Sequence, residues 1–455
     1  MTARLRRSAP PPPVRVVHLG LGAFSRAHQA WYTDRAADGD GWGIAAFTGR
    51  RPDLAEALSA QDGLYTLVTR GADGDAFATV GSLARAVPGG DHDAWLGAVA
   101  SPDVRVLTTT VTEAGYLRAP GGGLDSAHPA VVRDVAALRE DPRAPVVTAP
   151  ARIVAGLLAR RAADAGALAL VPCDNLPENG RVLDRVLRDL AGAVDPSLLP
   201  WLDAAVSTAT TMVDRITPAP TDADRAAVLA ATGVDDAAPV VTEPFSEWVV
   251  SGAFPGGRPA WETAGAVVTD DVTPYEQRKL WLLNGGHSLL AYVGSQRGHA
   301  TVDEAVRDPH CLDLLQRWWA LCTPHLLLGR ERAEEYCAAL IERFANPRMR
   351  HALAQIAGDG SQKLPVRLLP VLRAERAAGR LPDVAVTVLA AWLLHLRGTG
   401  APVRDLRADE LRALGGRPPA EAVPAVLATL DPALADDAEL VAAVRSRAGE
   451  LSGRR

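Results

Sequence analysis

The stretch VRVVHLGLGAF, residues 14–24, decides the fold of this chain. Its first half is an apolar, β-branched run, which is typical of a buried strand in a parallel sheet. Gly20 and Gly22 follow at once and predict a tight turn into a helix. Such a turn lets the backbone approach the pyrophosphate of a dinucleotide, although short glycine motifs also occur as purely structural turns.

Outward from this turn, apolar runs alternate with helical stretches. Strands are predicted over residues 42–48, 64–69, 104–111 and 167–172, and helices over 127–139 and 150–164. This alternation predicts an α/β fold with an open, mostly parallel sheet and helices on both faces. From Thr273 onward the pattern is helical and strand candidates nearly vanish; the helices are predicted over 274–294, 309–322, 329–344, 365–378 and 383–397.

The predicted domains follow from this change of pattern. A Rossmann-type dinucleotide-binding domain is expected over residues 14–268, and an all-helical substrate and catalytic domain over 269–455. The basic, proline-rich residues 1–13 are interpreted as a disordered leader, without the apolar stretch of a signal peptide. The tail after Thr399 is expected to form short surface helices.

Composition limits the class of protein. The 455 residues suggest two domains, and 48% hydrophobic with 22% charged residues is ordinary for a soluble globular chain. A net charge of -6 argues against nucleic acid or an anionic membrane as the main partner. Four cysteines give no disulfide framework, and the lone pair Cys322 and His325 is too few ligands for zinc, so no metal and a cytoplasmic location are expected.

The choice of cofactor depends on residues after the second strand. An acidic residue there would bind the ribose 2′-hydroxyl of NAD, and Asp53 is the candidate. Arg50 and Arg51 stand nearby and are the type of residue that accepts the 2′-phosphate of NADP. NAD is the expected cofactor, and NADP remains open. Alternatively, Arg50 and Arg51 are two solvated arginines in a loop without a role in cofactor binding.

Residues 273–287, TPYEQRKLWLLNGGH, hold the greatest density of chemical groups. Thr273 and Pro274 are typical of a helix start. At about 100° of rotation per residue, the polar residues share one helix face. They are Glu276, Lys279, Asn284 and His287. A lysine that loses its proton near neutral pH is a suitable general base, and an asparagine can donate to a developing alkoxide.

Each of these residues also has an ordinary structural explanation. Glu276 is spaced to complete a capping box with Thr273. Lys279 would serve as a surface lysine with a buried stem, and His287 as a core histidine. The helical glycines Gly285 and Gly286 are costly, which indicates the close approach of another group such as the nicotinamide or the other domain.

Eight segments in order, from about residue 14 to 400, carry a family resemblance: VHLGLGAFSRAHQA (17–30), TVTEAGY (110–116), PCDNLPENG (172–180), TMVDRITP (211–218), EPFSEWVV (243–250), the lysine helix (273–287), ERFANP (342–347) and DGSQKLP (359–365). Together they resemble the polyol-specific long-chain dehydrogenases, which include mannitol 2-dehydrogenase, fructuronate reductase and arabinitol dehydrogenase. The resemblance implies two domains with the active site between them, and NAD(P)-dependent oxidation of a sugar alcohol by a lysine base without zinc.

The resemblance also implies roles for individual residues. The catalytic set is Lys279, Asn175, Asn284 and His287. Asp214 and Lys363 match substrate-binding positions, and Glu113 and Glu276 match positions tied to a proton path. The cofactor contacts would come from Gly20, Gly22, Ala23, Phe24 and Arg26, together with Asp53.

Two departures from the family pattern bear on specificity. Ser25 replaces the first histidine of the family's glycine turn. Gln355, eight residues before Lys363, replaces an arginine that contacts substrate hydroxyls in mannitol 2-dehydrogenases, so it is a third substrate-binding candidate. This favours a fructuronate reductase; mannitol or arabinitol dehydrogenase and a non-catalytic cofactor-binding protein are the alternatives. A small-molecule sugar is the expected partner, and a monomer or weak homo-oligomer the expected state.

Overall fold

The computed structural model describes residues 3–453, and the chain divides into two units that meet between Thr273 and Pro274. The sequence pattern predicts this change slightly earlier, at residue 269. Each unit has its own buried core. The predicted fold class, an α/β unit followed by a helical one, is confirmed.

A six-stranded sheet forms the centre of the first unit. Every neighbouring pair in it is parallel, as the buried apolar runs predict. The strands, in spatial order, are Leu83–Val87, Gly43–Phe47, Val14–Leu19, Val106–Thr109, Leu168–Pro172 and Val206–Thr208. The strand that precedes the glycine turn is therefore central, and the carboxyl ends of its neighbours lie beside the turn.

Both faces of this sheet are covered. Val17 and Leu19 pack on one face with Trp95 and the helices that follow it. Val16 packs on the other face with Tyr65 and Trp248. The α-helices of this unit are Ala23–Ala27, Gln29–Arg35, Asp53–Ser59, His92–Val99, Pro129–Glu140, Ala149–Ala162, Asn179–Val194, Leu198–Ala205 and Asp222–Thr232, with 3-10 turns at Gly39–Gly41, Glu113–Tyr116 and Trp261–Ala264.

Three small sheets complete the unit: a two-stranded one near the chain start and two three-stranded ones. Of the three-stranded sheets, one consists of Val240–Thr242, Tyr65–Arg70 and Asp75–Val80, and the other of Thr210–Asp214, Glu247–Ser251 and Val267–Val268. The strand predicted at 64–69 thus lies outside the parallel sheet. A turn closed by the Gly71 N–H and the Gly74 carbonyl, 2.9 Å apart, returns the chain antiparallel to it. The edge of the parallel sheet is taken instead by Leu83–Val87, which the pattern does not reveal.

The start of the described chain is ordered, so the predicted disordered leader is wrong from residue 3 onward. Ala3–Arg4 pairs in parallel with Val234–Asp235. The Arg7 guanidinium donates to the carbonyls of Asp62, Gly81 and Leu83 at 2.8, 2.5 and 2.8 Å. These bonds give the basic segment fixed partners that composition alone does not indicate. Met1 and Thr2 lie outside the described residues.

The second unit is built from helices, and its described residues contain no strand. Two of its segments, Lys279–Asn284 and Leu290–Gly294, are π-helical. The other helices are Thr273–Arg278, Gly285–Leu289, Val302–Arg307, Pro309–Cys322, Arg330–Ala345, Leu353–Ile356, Gly360–Arg367, Leu369–Ala377, Asp383–Leu396, Ala408–Gly415, Pro419–Ala428, Pro432–Asp436 and Ala438–Gly453, with a 3-10 turn at Thr323–His325.

The helix Asp383–Leu396 is apolar on all sides, and from Val384 onward all of its residues are buried. The tail helix Ala438–Gly453 packs along it with Leu440, Val444 and Ala448, which are spaced four residues apart. The expectation that the tail forms only surface helices is therefore wrong, because this helix completes the core. Among residues 3–453, no helix is long and apolar enough to cross a membrane.

Candidate active site

The glycine turn has the geometry that a dinucleotide requires. Gly20 has φ +110°, and a Cβ there would lie 2.3 Å from the Thr110 carbonyl oxygen, so only glycine fits. At Gly22 a Cβ would meet only the Gly20 oxygen, at 3.6 Å. Neighbouring protein atoms therefore do not crowd Gly22. Because glycine has no side chain, a pyrophosphate can approach the backbone closely at this position.

Ser25 and Arg26 stabilise this turn from within. The Ser25 hydroxyl accepts the Gly22 N–H at 3.0 Å, in the place of the usual third glycine. Arg26 is buried, and its guanidinium donates to the carbonyls of Gly22, at 3.1 Å, and Ala238. These bonds favour an indirect role for Arg26, in contrast to the predicted cofactor contact. Ala23 and Phe24 are half-buried at the start of the helix.

The end of the neighbouring strand Gly43–Phe47 is rich in positive charge. Arg50, Arg51 and Asp53 are all exposed there. Arg152 is only 7% exposed, and its Nη1 donates to the Thr48 carbonyl at 3.5 Å, while its Nη2 has no hydrogen-bond partner among the described residues. Burial lowers the pKa of Arg152 to about 10. Three arginines thus lie at the strand end where Asp53 is the carboxylate predicted to bind the cofactor.

Asp174, which the sequence did not single out, organises the loops after two central strands. Its carboxylate accepts hydrogen bonds from the Thr109 hydroxyl at 2.8 Å, from the Val111 N–H and from the Tyr116 hydroxyl. The next residue, Asn175, is exposed, as is Glu113 at the start of the turn that Tyr116 ends. Both therefore lie at the same carboxyl edge of the sheet as the glycine turn.

Asp214 is placed by a different element. It is the last residue of Thr210–Asp214 in one of the small sheets, paired with Glu247, and is only 4% exposed. Arg215, next in the chain, is buried and stacks on the Trp31 ring at 4.6 Å. The Arg215 Nη1 donates to the Ala27 carbonyl. This arrangement links the segment TMVDRITP to the helix that begins at the glycine turn.

The lysine helix departs from regular α-geometry at the predicted base. Residues Lys279–Asn284 form a π-helical turn, in which hydrogen bonds span five residues. The regular α-helical rotation of about 100° per residue, from which the shared face was predicted, therefore does not hold between Lys279 and Asn284. In a wide turn of this kind, residues five apart come close to lying one above the other, so Lys279 and Asn284 share a face more closely than α-geometry allows.

The catalytic candidates on this helix are buried. Lys279, Asn284 and His287 are 9%, 8% and 6% exposed. The His287 ring stacks on Phe344 with centroids 4.6 Å apart and meets the His351 ring edge-on at 5.1 Å. A surface role for Lys279 is excluded by this burial. Glu276, one turn earlier, is half-buried.

The glycines Gly285 and Gly286 are explained by a neighbouring helix of the same unit. A Cβ on Gly285 would lie 2.8 Å from the Trp318 indole nitrogen. A Cβ on Gly286 would lie 2.8 Å from Leu315 Cδ1 and 3.3 Å from the Trp319 indole nitrogen. The expected close approach is therefore real, but the groups that approach belong to Pro309–Cys322.

The DGSQKLP segment begins Gly360–Arg367, which packs beside the lysine helix. Lys363 is half-buried, and its ammonium donates to the carbonyls of Gly358 at 2.5 Å and Ile356 at 3.3 Å, so within residues 3–453 one N–H is left for a ligand. Burial, and then the Arg367 charge, lower the pKa of Lys363. Gln355 is exposed on Leu353–Ile356.

Within residues 3–453, one group of side chains has metal-ligand spacing: ligand atoms of His299, Asp308 and Cys311 lie within 4.8 Å of one another. The Arg297 guanidinium donates to Asp308 at 2.6 Å, and the His299 ring lies 2.9 Å from the same oxygen. Because Arg297 already brings a positive charge to this carboxylate, the group is better described as an ion-pair cluster.

A dinucleotide turn on a parallel sheet, followed by a helical unit with a buried lysine, defines a two-domain nucleotide-dependent dehydrogenase. The profile of the mannitol dehydrogenase Rossmann domain matches residues 14–263, and that of the mannitol dehydrogenase C-terminal domain matches residues 271–451. The chain therefore belongs to the mannitol dehydrogenase family and is an oxidoreductase. The resemblance found in the sequence is confirmed.

Individual relatives differ in substrate. The chain is 38% identical over 399 residues to the D-mannonate oxidoreductase of Escherichia coli (strain K12), covering 84% of this chain and 80% of the relative. It is 39% identical over 396 residues to the D-arabinitol 4-dehydrogenase of Ralstonia nicotianae, covering 84% and 83%. The mannitol 2-dehydrogenase of Pseudomonas fluorescens, solved with NAD and D-mannitol, has 35% identity, a TM-score of 0.84 and coverage of 97% and 92%.

Proposed function

We propose that this enzyme interconverts a keto sugar acid and its aldonate, in the manner of a fructuronate reductase, with Lys279 as the proton-transferring group. One observation supports the lysine assignment above the others. Only two of the 48 basic Lys and Arg residues are lysines, and they are Lys279 and Lys363. Because arginine keeps its proton in proteins, Lys279 and Lys363 are the two side chains among these 48 that can transfer one.

In the reducing direction, the ammonium of Lys279 gives a proton to the substrate oxygen as the carbonyl becomes an alcohol. The amides of Asn175 and Asn284 donate hydrogen bonds to that oxygen while negative charge builds on it. His287, held by its stack on Phe344, orients the substrate. When bound, NADH supplies the hydride to the carbonyl carbon, so the two electrons and the proton are accounted for.

The remaining candidates are assigned supporting roles. Glu113 and Glu276 return the proton between Lys279 and water, which oxidation and reduction both require. Asp214 positions the substrate. Lys363 has one N–H left for a ligand and meets the substrate carboxylate, and Gln355 occupies the place of an arginine that would contact hydroxyls. A carboxylate therefore gains a cation that a neutral ketose would not use.

For the cofactor we propose NAD, with NADP as a second cofactor. The glycine turn fits a pyrophosphate, and the NAD bound to the Pseudomonas fluorescens relative supports this choice. Asp53 is the carboxylate for a ribose hydroxyl. The exposed Arg50 and Arg51 and the buried Arg152 offer cations to a 2′-phosphate at the same strand end.

The runner-up is a polyol dehydrogenase that acts on mannitol or arabinitol, which the D-arabinitol and D-mannitol relatives favour. NADH and NADPH oxidation at 340 nm should be followed with fructuronate, tagaturonate and fructose in parallel. Fast turnover of a uronate and little of fructose is the expected result. Fast turnover of fructose would replace the proposal with the runner-up, and no turnover with any of the three would favour a different polyol as the substrate.

A further inference from the structure

The π-helical turn at the predicted base needs hydrogen-bond partners that a regular helix would not. In an α-helix the Gly285 N–H would donate to the carbonyl of Trp281, four residues back. Here the Gly285 N–H is directed to the carbonyls of Leu280 and Leu282 instead. A carbonyl that loses its partner inside a buried helix costs free energy unless another donor reaches it.

Side chains of the same unit supply those donors. The indole N–H of Trp318 donates to the Trp281 carbonyl at 2.8 Å, and the indole N–H of Trp319 donates to the Leu282 carbonyl at 2.9 Å. Both rings lie in the buried core on Pro309–Cys322. Two successive tryptophans thus donate to two successive carbonyls of the turn: Trp318 replaces the donor that the Trp281 carbonyl would have in an α-helix, and Trp319 adds a second donor to the Leu282 carbonyl.

Arg367 acts on the far end of the same turn. Its Nη1 lies 3.4 Å from the Asn284 carbonyl and 3.1 Å from the Ser288 hydroxyl. Burial lowers the pKa of Arg367 to about 10. The guanidinium therefore lies beside Asn284, where the π-helical turn ends, and donates to the backbone carbonyl of this predicted catalytic residue.

We propose that Trp318, Trp319 and Arg367 are positioning residues that keep Lys279–Asn284 in its π-helical turn and so hold Lys279 and Asn284 on one face for catalysis. This inference rests on the proposed role of Lys279. None of the three needs to touch substrate. Gly285 and Gly286 contribute to the same arrangement, because a side chain at either position would push an indole ring away from its carbonyl.

The test is Trp318→Phe, which keeps a ring but removes the N–H donor. Trp261→Phe is the matched control, because the Trp261 indole is also buried and donates, at 3.0 Å, to the Thr33 hydroxyl in the first unit. For Trp318→Phe we expect kcat to fall about 10- to 100-fold, as small misplacements of catalytic groups do, with NADH affinity unchanged. The control should keep kcat within about twofold.

A second readout does not depend on any substrate. Since the chain has two lysines, acylation by acetic anhydride followed by mass spectrometry reports Lys279 with Lys363 as an internal reference. In Trp318→Phe the pH midpoint of Lys279 labelling should move, and amide exchange over residues 279–290 should accelerate, with neither change in the control. Arg367→Lys keeps the charge and should lower kcat less than Arg367→Met.

The outcomes separate this inference from the proposed function. The positioning role would be overturned if Trp318→Phe left kcat, the labelling midpoint of Lys279 and amide exchange all unchanged. It would also be overturned if amide exchange became faster while kcat and the labelling midpoint stayed the same. If the wild-type enzyme prefers a neutral polyol, the keto-acid proposal fails, but the same variants still test the turn with that substrate. If no substrate turns over, the labelling midpoint and amide exchange together decide: both must move for the inference to stand.

Discussion

The hydroxyl of Ser25 lies 3.0 Å from the backbone nitrogen of Gly22 and accepts its hydrogen bond. This contact closes the first turn of the nucleotide-binding helix from the inside. A glycine at this position, as in the common fingerprint, would lack it. The turn is therefore stabilised by a side chain in this protein, in place of closer packing between helix and strand.

Ser25→Ala should weaken NADH binding about 2- to 10-fold, the range expected for one lost hydrogen bond, and leave kcat nearly unchanged. Quenching of protein fluorescence by NADH measures the dissociation constant. Ser207→Ala is the control, because that hydroxyl donates to the Ala253 carbonyl away from the turn. Equal affinities in the two variants would contradict the role given to Ser25.

Lys279→Ala should reduce kcat about 10²- to 10⁴-fold, the usual contribution of a general acid or base, with little effect on NADH affinity. Lys363→Ala should instead raise KM for a carboxylate substrate much more than it lowers kcat. Steady-state kinetics with both substrate classes distinguishes the two. Turnover of Lys279→Ala within a few-fold of wild type would rule out the proposed mechanism.

Replacing both exposed arginines, Arg50→Gln with Arg51→Gln, should weaken NADPH binding about tenfold or more and leave NADH binding unchanged. The reason is that only NADPH carries the 2′-phosphate that these cations would meet. Calorimetric titration with each cofactor, and with 2′,5′-ADP, gives the affinities. A wild-type protein with no affinity for 2′,5′-ADP would disprove a phosphate subsite.

Acid should destabilise the first unit through His18. The ring lies between the hydroxyls of Thr108 and Thr110, at 2.8 and 3.2 Å, and burial lowers its pKa to about 4. The neutral ring is favoured in the folded state, so its stabilisation is full above pH 6.5 and is lost as pH falls from 6.5 toward 4. The full loss is about 3 kcal/mol of unfolding free energy. About 2 kcal/mol of this should be lost between pH 7 and pH 5, which urea melts at the two pH values measure, and the difference should shrink in His18→Asn.

Gly286→Ala should destabilise the protein by about 1–3 kcal/mol, because the new methyl would overpack Leu315 and Trp319. It should also lower kcat if the indole moves from its carbonyl. Gly97→Ala is the matched control: Gly97 lies in His92–Val99 with nothing within 4 Å of a Cβ, and alanine there should stabilise by about 0.5–1 kcal/mol. Thermal melts that rank the two variants in the opposite order would refute this account.

The sequence predicted the parallel sheet well, because buried β-branched runs and glycine turns are local signals, as at residues 14–24. It did not predict the π-helical turn after Lys279. Whether hydrogen bonds span four or five residues there depends on donors from Trp318 and Trp319, some 37 positions away. Pattern reasoning along one helix contains no information about such donors.

Other differences have the same origin. Arg26 matched a cofactor-binding motif, but its long side chain turns inward to the Ala238 carbonyl, a partner over 200 residues later. Asp174 had no visible signal apart from its neighbour Asn175, and its role depends on three donors at the end of the neighbouring strand Val106–Thr109 and in the segment after it. Residues that organise a site through distant partners are recognised only once the fold is known.

The order in which the chain leaves the ribosome matters for the second unit. Asp383–Leu396 has no polar side to leave in water, and the helix that covers it, Ala438–Gly453, is made more than forty residues later. During that interval the nascent chain exposes this apolar helix, which in the folded unit is buried. Arg317 and Arg447 both form ion pairs with Asp383, the first residue of Asp383–Leu396. Because Arg447 lies in Ala438–Gly453, this last helix also completes the charge cluster at that end. A ribosome that stalls between residues 400 and 438 would therefore release a product prone to aggregation and attractive to chaperones.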